Sequence, residues 1–181
     1  MKTLYSILIA ISAFAVFAAV AVADPGNTWD KVIKTNRFVV LNDFGGAAVL
    51  DKETGRVWEQ SPGDVDGDGD VDNDDLQTWF QALASCYGKE VGGRKGWRLP
   101  TIEELASLAD TSQPAPTLPD GNPFSNVQSS FYWSATTVAN NTSFAWVVFF
   151  LNGVVGVGGK TNDTNVFVWC VRGGQGIDGV Q

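Results

Sequence analysis

The chain has 181 residues, 12 basic and 20 acidic side chains, two cysteines and no histidine, for a net charge of −8. The absence of histidine excludes Ser–His–Asp and Cys–His catalysis and any His-ligated zinc site. No basic stripe is present, which argues against a nucleic-acid partner.

The chain opens with Lys2, an apolar run over residues 4–20 and the small-residue site Ala21-Val22-Ala23, the layout of an export signal. The run is short for a membrane anchor, so residues 1–23 are expected to be cleaved, leaving no membrane span. The remaining 158 residues carry −9 and suffice for one domain with its own core. Residues 24–36 form an N-terminal segment. After it, 38–41 and 47–51 are short β-rich runs separated by Asn42-Asp43-Phe44-Gly45-Gly46, which reads as a hairpin. Thr54-Gly55 turns the chain into a third strand over 56–59. Gln60-Ser61-Pro62-Gly63 then rules out a helix at that point.

Residues 64–75 read D-V-D-G-D-G-D-V-D-N-D-D, the most specific chemistry in the chain. Asp64, Asp66, Asp68, Asp70, Asp72 and Asp75 occupy positions 1, 3, 5, 7, 9 and 12 of an EF-hand-type loop. Calcium is a hard cation that takes several oxygen ligands, and alternating carboxylates on a tight loop supply them. Gly69 at position 6 permits the sharp turn. Asp70 would offer its backbone carbonyl, Asp72 would act through a water, and Asp75 would close the shell. The competing reading is a solvated acidic turn, which rarely matches the carboxylates, the glycine and the aliphatic Val71 together. Seven aspartates this close repel one another without a cation, so the loop should be ordered only when loaded. Removing their charge leaves −2 on the mature chain, so the acidity is mostly this loop. Position 12 is Asp where most calcium sensors have Glu, and only an exiting helix follows. The loop therefore resembles one half of a dockerin repeat; dockerins carry two.

Leu76, Trp79, Phe80, Leu83, Ala84 and Tyr87 recur at helical spacing and predict an amphipathic helix, with Val71 packing beside its start and Cys86 at its end. In an exported protein, Cys86 and Cys170 most simply form one disulfide. They lie 84 positions apart, so the bridge would contribute about 4 kcal/mol in the chain-entropy model. The alternative is a pair of free thiols or a catalytic cysteine, which would need an activating base.

Gly92-Gly93 breaks the chain before Trp97-Arg98-Leu99-Pro100. Thr101 and Glu104 form a capping box that opens a second helix, with Leu105, Leu108 and Ala109 as its buried stripe. Pro114, Pro116 and Pro119 mark an irregular connection to about Gln128. Residues 131–134, 144–151, 154–157 and 166–172 read as strands, with Asn152-Gly153 as a hairpin turn. Two helices followed by antiparallel strands give an α+β fold class. Trp97, Trp133 and Trp146 read as core anchors, Arg98 as a partner for carbonyls or an acid, and Glu103 and Glu104 as helix-start charges. Asn140, Asn141, Thr142, Lys160, Asn162 and Asp163 lie on polar, glycine-bearing loops that suit hydrogen bonding to a ligand; solvated loops are the equal alternative.

With these elements placed, a resemblance emerges. The run from Val49 through Asp51, Thr54 and Gly55 to Trp58, the helix residues Thr78-Trp79, Ala82 and Cys86, and above all Gly96-Trp97-Arg98-Leu99-Pro100-Thr101-Ile102-Glu103-Glu104-Leu105 are similar to the Lcl C-terminal domain family. Tyr132-Trp133-Ser134, Ala145-Trp146, Asn152-Gly153 and Cys170-Val171-Arg172-Gly173 complete the pattern. Arg56 stands where the family usually has Leu, and the calcium loop looks inserted. The likeness covers residues 37–174, leaving a tail over 175–181. It implies a C-type-lectin-like fold whose first helix is tied to the last strand by a disulfide. It also implies exported bacterial proteins, often adhesive, of which the namesake binds sulfated glycans. Formylglycine-generating enzymes share the fold class but need a reactive cysteine pair, and both cysteines here fall at the structural positions.

The expectation is a non-enzymatic, calcium-stabilised binding or adhesion module, secreted, periplasmic or on the cell surface. Its partner would be a cell-surface glycan or protein. The alternative is a structural subunit of an extracellular assembly that self-associates through the uncharged, β-prone stretch 146–157.

Overall fold

A computed structural model describes residues 37–65 and 69–173. The expected signal peptide, the segment 24–36, the tail 175–181 and the loop aspartates Asp66 and Asp68 lie outside the described residues. The architecture is α+β, with eight strands in two sheets and two α-helices among the described residues.

Strands β1 (Phe38–Val40), β2 (Ala48–Asp51) and β3 (Arg56–Glu59) form the expected antiparallel meander. A short 3₁₀ turn, Asn42–Phe44, joins the first two, and Gly45 closes it at φ 62° with its N–H donated to the Asn42 carbonyl. Further along, β4 (Trp97–Arg98) and β8 (Val171–Arg172) complete a sheet of order β1-β2-β3-β8-β4. Strands β5 (Phe131–Thr137), β6 (Phe144–Phe149) and β7 (Val154–Gly159) make a separate antiparallel sheet, with β7 at its edge.

Helix α1 spans Trp79–Gly88, so it begins three residues later than the apolar spacing predicts. The residues before it are claimed by other parts of the chain. The Gln77 N–H bonds the Val166 carbonyl, the Gln77 carbonyl accepts Trp133 Nε1, and a Thr78–Gln81 capping box fixes the start. The buried face is Trp79, Ala82 and Cys86 with Leu83 beside them. Phe80 and Tyr87, read as part of the stripe, are exposed, Tyr87 by 85%. Helix α2 is a five-residue piece, Ile102–Ala106, opened by the expected Thr101–Glu104 box. Leu105 and Leu108 are buried as expected, although Leu108 follows the helix.

Cys86 and Cys170 form a disulfide, with Cα atoms 5.5 Å apart. It joins α1 to the segment preceding β8. That segment was expected to be one strand over 166–172, but only its last two residues pair as strand. Its partners change along its length: Phe167 pairs with β5, while the Cys170 carbonyl accepts the Glu59 N–H of β3 and the Cys170 N–H donates to the Glu59 carboxylate. The extended chain still alternates its side chains. Val166, Val168 and Cys170 enter one core cluster with Trp79, Trp97 and Trp133, while Phe167, Trp169 and Val171 enter a second with Trp58, Leu105 and Tyr132. One segment thus supplies both cores. Trp97 and Trp133 are buried anchors, whereas Trp146 is only half buried.

Candidate metal loop and neighbouring surface loops

The acidic loop leaves β3 through Pro62 and Gly63, both buried. Gly63 has φ +107°, and a Cβ there would meet Val71 Cγ1 at 2.7 Å. Glycine is therefore required for Val71 to fold over the start of the loop. Val71 also packs against the second core cluster together with Leu76. Gly69 adopts φ +100°, the left-handed region that its loop position demands.

The loop is closed by Asp75, the last of the predicted ligands and only 1% exposed. Its Oδ1 accepts the Val65 N–H and its Oδ2 accepts the Asp72 N–H at 2.9 Å. Asp72 in turn accepts the Asp74 N–H at 2.8 Å. Carboxylate oxygens of Asp70, Asp72 and Asp75 lie within 4.8 Å of one another, a spacing that could hold a metal ion. Asp70 and Asp72 are exposed, while Asp75 reaches the group from inside. Each Asp75 oxygen already accepts an amide but keeps a second lone pair. Asp64, at loop position 1, lines a neighbouring cleft. The donor set is all oxygen and anionic, which suits a hard divalent cation rather than a soft one.

Immediately after Asp75 the chain is stapled to the late loops. The Gln77 N–H bonds the Val166 carbonyl, and the Trp79 N–H bonds the Lys160 carbonyl. Lys160 Nζ lies 4.0 Å from the centroid of the Trp79 ring and donates to Thr137 Oγ1 at 2.7 Å. The Lys160 N–H also reaches the Ser143 carbonyl. Both predicted ligand loops therefore meet at one end of the smaller sheet, next to the acidic loop. Within them, Asn140, Asn141, Thr142, Asn162 and Asp163 are exposed. Lys160 is 7% exposed, and its ammonium is engaged within the fold. Asp163 accepts the Gly159 N–H, and Asn141 accepts the Ser143 N–H, so part of their hydrogen-bonding capacity shapes the turns.

Two carboxylates outside the loop complete the electrostatics. Glu104 accepts Arg98 in a two-pronged pair, Arg56 and its own cap N–H. Burial alone would raise its pKa, but the hydrogen bonds from Arg98, Thr101 and Arg56 outweigh that and hold it down at about 2. Arg98 additionally donates to the Leu99 and Gly173 carbonyls. The most specific family motif is thus a structural node. Glu59, 3% exposed, behaves oppositely. Burial pushes its carboxyl up, and Lys89 Nζ at 2.6 Å with the Cys170 N–H offsets this only in part. The pair lines a cleft of about 320 Å³ together with Gln60, Ser61 and Asp64. Sequence reading missed the pair, because its partners are 30 positions apart and carry no pattern. The one hint is a glutamate ending an otherwise apolar strand.

A comparison with family models matches residues 47–172 to the Lcl C-terminal domain. A search of curated proteins finds no match. Among the described residues, no helix is long and apolar enough to cross a membrane.

Proposed function

The chain belongs to the Lcl C-terminal domain family, and from that premise we propose that it is a secreted, non-enzymatic binding module on a C-type-lectin-like frame, with calcium held by the acidic loop and a cell-surface glycan or protein as its target. The observation that carries this reading is the placement of the loop. Asp70, Asp72 and Asp75 converge, and the residues directly after Asp75 bond the loop around Lys160–Val166. A cation would neutralise the mutual repulsion of the aspartates and hold Asp75 at the head of the segment that supports the late loops. Asn140, Asn141, Thr142 and Asn162 present amides and a hydroxyl outward from that end. Lys160 and Asp163 act as supports beneath them, because their charged groups are bonded within the fold.

Calcium titration by calorimetry, with thermal melting before and after chelation, tests the metal. Micromolar binding together with a melting temperature that falls on chelation supports it; no heat and no shift overturn it. Glycan arrays and cell-surface pull-downs run in calcium and in chelator test the target. Blank results in both conditions would remove the binding role and leave the frame alone.

A further inference from the structure

Strand β7 carries a feature that neither the loop nor the cleft explains. It is the edge of its sheet, paired through β6 on one side. Residues 151–159 contain no charge and no proline, and β7 itself has no bulge, so the usual devices that blunt an edge are missing. Val154, Val155 and Val157 are 54%, 42% and 50% exposed.

The hydrogen-bond alternation tells which backbone groups face outward. Lys160 donates to the Ser143 carbonyl, continuing the β6–β7 ladder. In an antiparallel pair every second residue bonds the partner strand, so 158, 156 and 154 face β6. Val155, Val157 and Gly159 then point their backbone groups away. The Gly159 N–H confirms this parity, because it is taken by the Asp163 carboxylate. Asp163 thus closes one end of the edge, and among the described residues Val155 and Val157 are left open.

We infer that β7 pairs antiparallel with β7 of a second copy, about a two-fold axis at Gly156, to give a six-stranded sheet. In that register Val155 of each copy exchanges both backbone bonds with Val157 of the other. The two resulting valine pairs share a face with Trp146, which lies opposite Val157 in β6. Gly156 meets its counterpart on the axis with no side chain to obstruct the approach. Charge selects this occupant. The chain carries −8 overall, yet two copies can meet along this edge without opposing charges. Antiparallel pairing sends the two Asp163 carboxylates to opposite ends, whereas parallel pairing would set them side by side. The interface is isologous, so it closes as a dimer and does not propagate as a filament.

Sedimentation of the purified protein over a broad dilution series tests the inference, with hydrogen exchange measured at both ends of the series. The expected result is a mass that doubles with concentration, while the Val155 and Val157 amides become protected. Val157→Lys should stay monomeric at every concentration. Val155→Pro, which removes an outward N–H and no β6 bond, should weaken the dimer at least about tenfold, which is 1.4 kcal/mol. A wild-type chain that stays monomeric throughout overturns the proposal. So does a dimer in which the two amides remain unprotected, or one that both folded variants leave unchanged. Uptake of an unrelated extended peptide by a monomeric β7 overturns it in favour of a heterologous strand. The exchange measurement on wild type decides the matter even if a variant fails to fold.

Discussion

The node around Glu104 and the loop closed by Asp75 solve the same problem in different ways. Each buries carboxylate oxygens near the protein surface. Around Glu104 the chain supplies its own cations, Arg98 and Arg56, along with the cap amide. Around Asp75 the backbone N–H groups of Val65 and Asp72 donate, while two further carboxylates approach within 4.8 Å. Amides orient a carboxylate without neutralising its neighbours. The node therefore carries its own counter-charges as the chain folds, and on the proposed reading the loop would take its cation from solution. The difference separates a frame that needs no ligand from a loop whose stability should track one.

Removing the disulfide is the severest test of the frame. Replacing Cys86 and Cys170 by alanine should cost about 4 kcal/mol in urea unfolding, equally with and without calcium. A loss confined to one condition would break the comparison, because frame and loop would then be one unit. Next in size is Glu104→Gln, which leaves two guanidinium groups facing a neutral amide and weakens the α2 cap. A loss of about 3 kcal/mol is expected, again independent of calcium, by the same measurement.

The loop should respond in the opposite manner. Calcium at a hundredfold excess over its dissociation constant should raise wild-type stability by about 2.7 kcal/mol. Asp70, read from the sequence as a backbone-carbonyl ligand, brings its carboxylate to those of Asp72 and Asp75 in the fold, so Asp70→Asn should abolish most of that increment and lower the calcium-free melting temperature less than Asp75→Asn does. Asp75→Asn should lose the increment and also lower calcium-free stability, since its oxygens hold two loop amides. Equal behaviour of the two variants would sink the distinction between cation ligand and loop closure.

The smallest effect expected is in the pH dependence, where the sign discriminates. Glu104 and Asp51 have lowered pKa values in the folded state, so their contribution is present above the ordinary carboxylate range and is lost as pH falls, towards about 2 for Glu104. Glu59 is raised, so its contribution is complete below its ordinary value of 4.5 and fades as pH rises through its folded pKa. Denaturant midpoints should therefore show a shallow fall in stability on the upward side of pH 4.5. Glu59→Gln should flatten it, and Lys89→Met should extend it to higher pH, because the ammonium that offsets burial is gone. A slope unchanged in both variants would mean that Glu59 does not titrate in this range.

Much of the frame was legible because its signals are local. The β1–β2 hairpin, the Thr101–Glu104 box and the Asn152-Gly153 turn each depend on residues within a few positions of one another. The disulfide was legible by having only two cysteines to pair. The start of α1 was misplaced because the spacing from Leu76 is helical, while the backbone at Gln77 is held by Val166 and Trp133 from distant strands. The single strand expected over 166–172 failed for a related reason. Its apolar run satisfies two cores in alternation, which composition cannot tell from a ladder with one partner. At the candidate site, the sequence gives the loop aspartates by position, and the fold adds that Lys160 is engaged within the structure. That engagement depends on Trp79, 81 positions earlier, and no pattern in one chain announces it.

The alternation of residues 166–171 between the two cores has a consequence for the order of assembly. A nascent chain emerging from its N-terminus cannot complete either core until this stretch has appeared, since each lacks three of its members. The keystone is thus among the last of the core residues to be made. Truncation before Val166 should leave a chain that collapses without cooperative melting, and elongation by those six residues should switch cooperativity on in a single step.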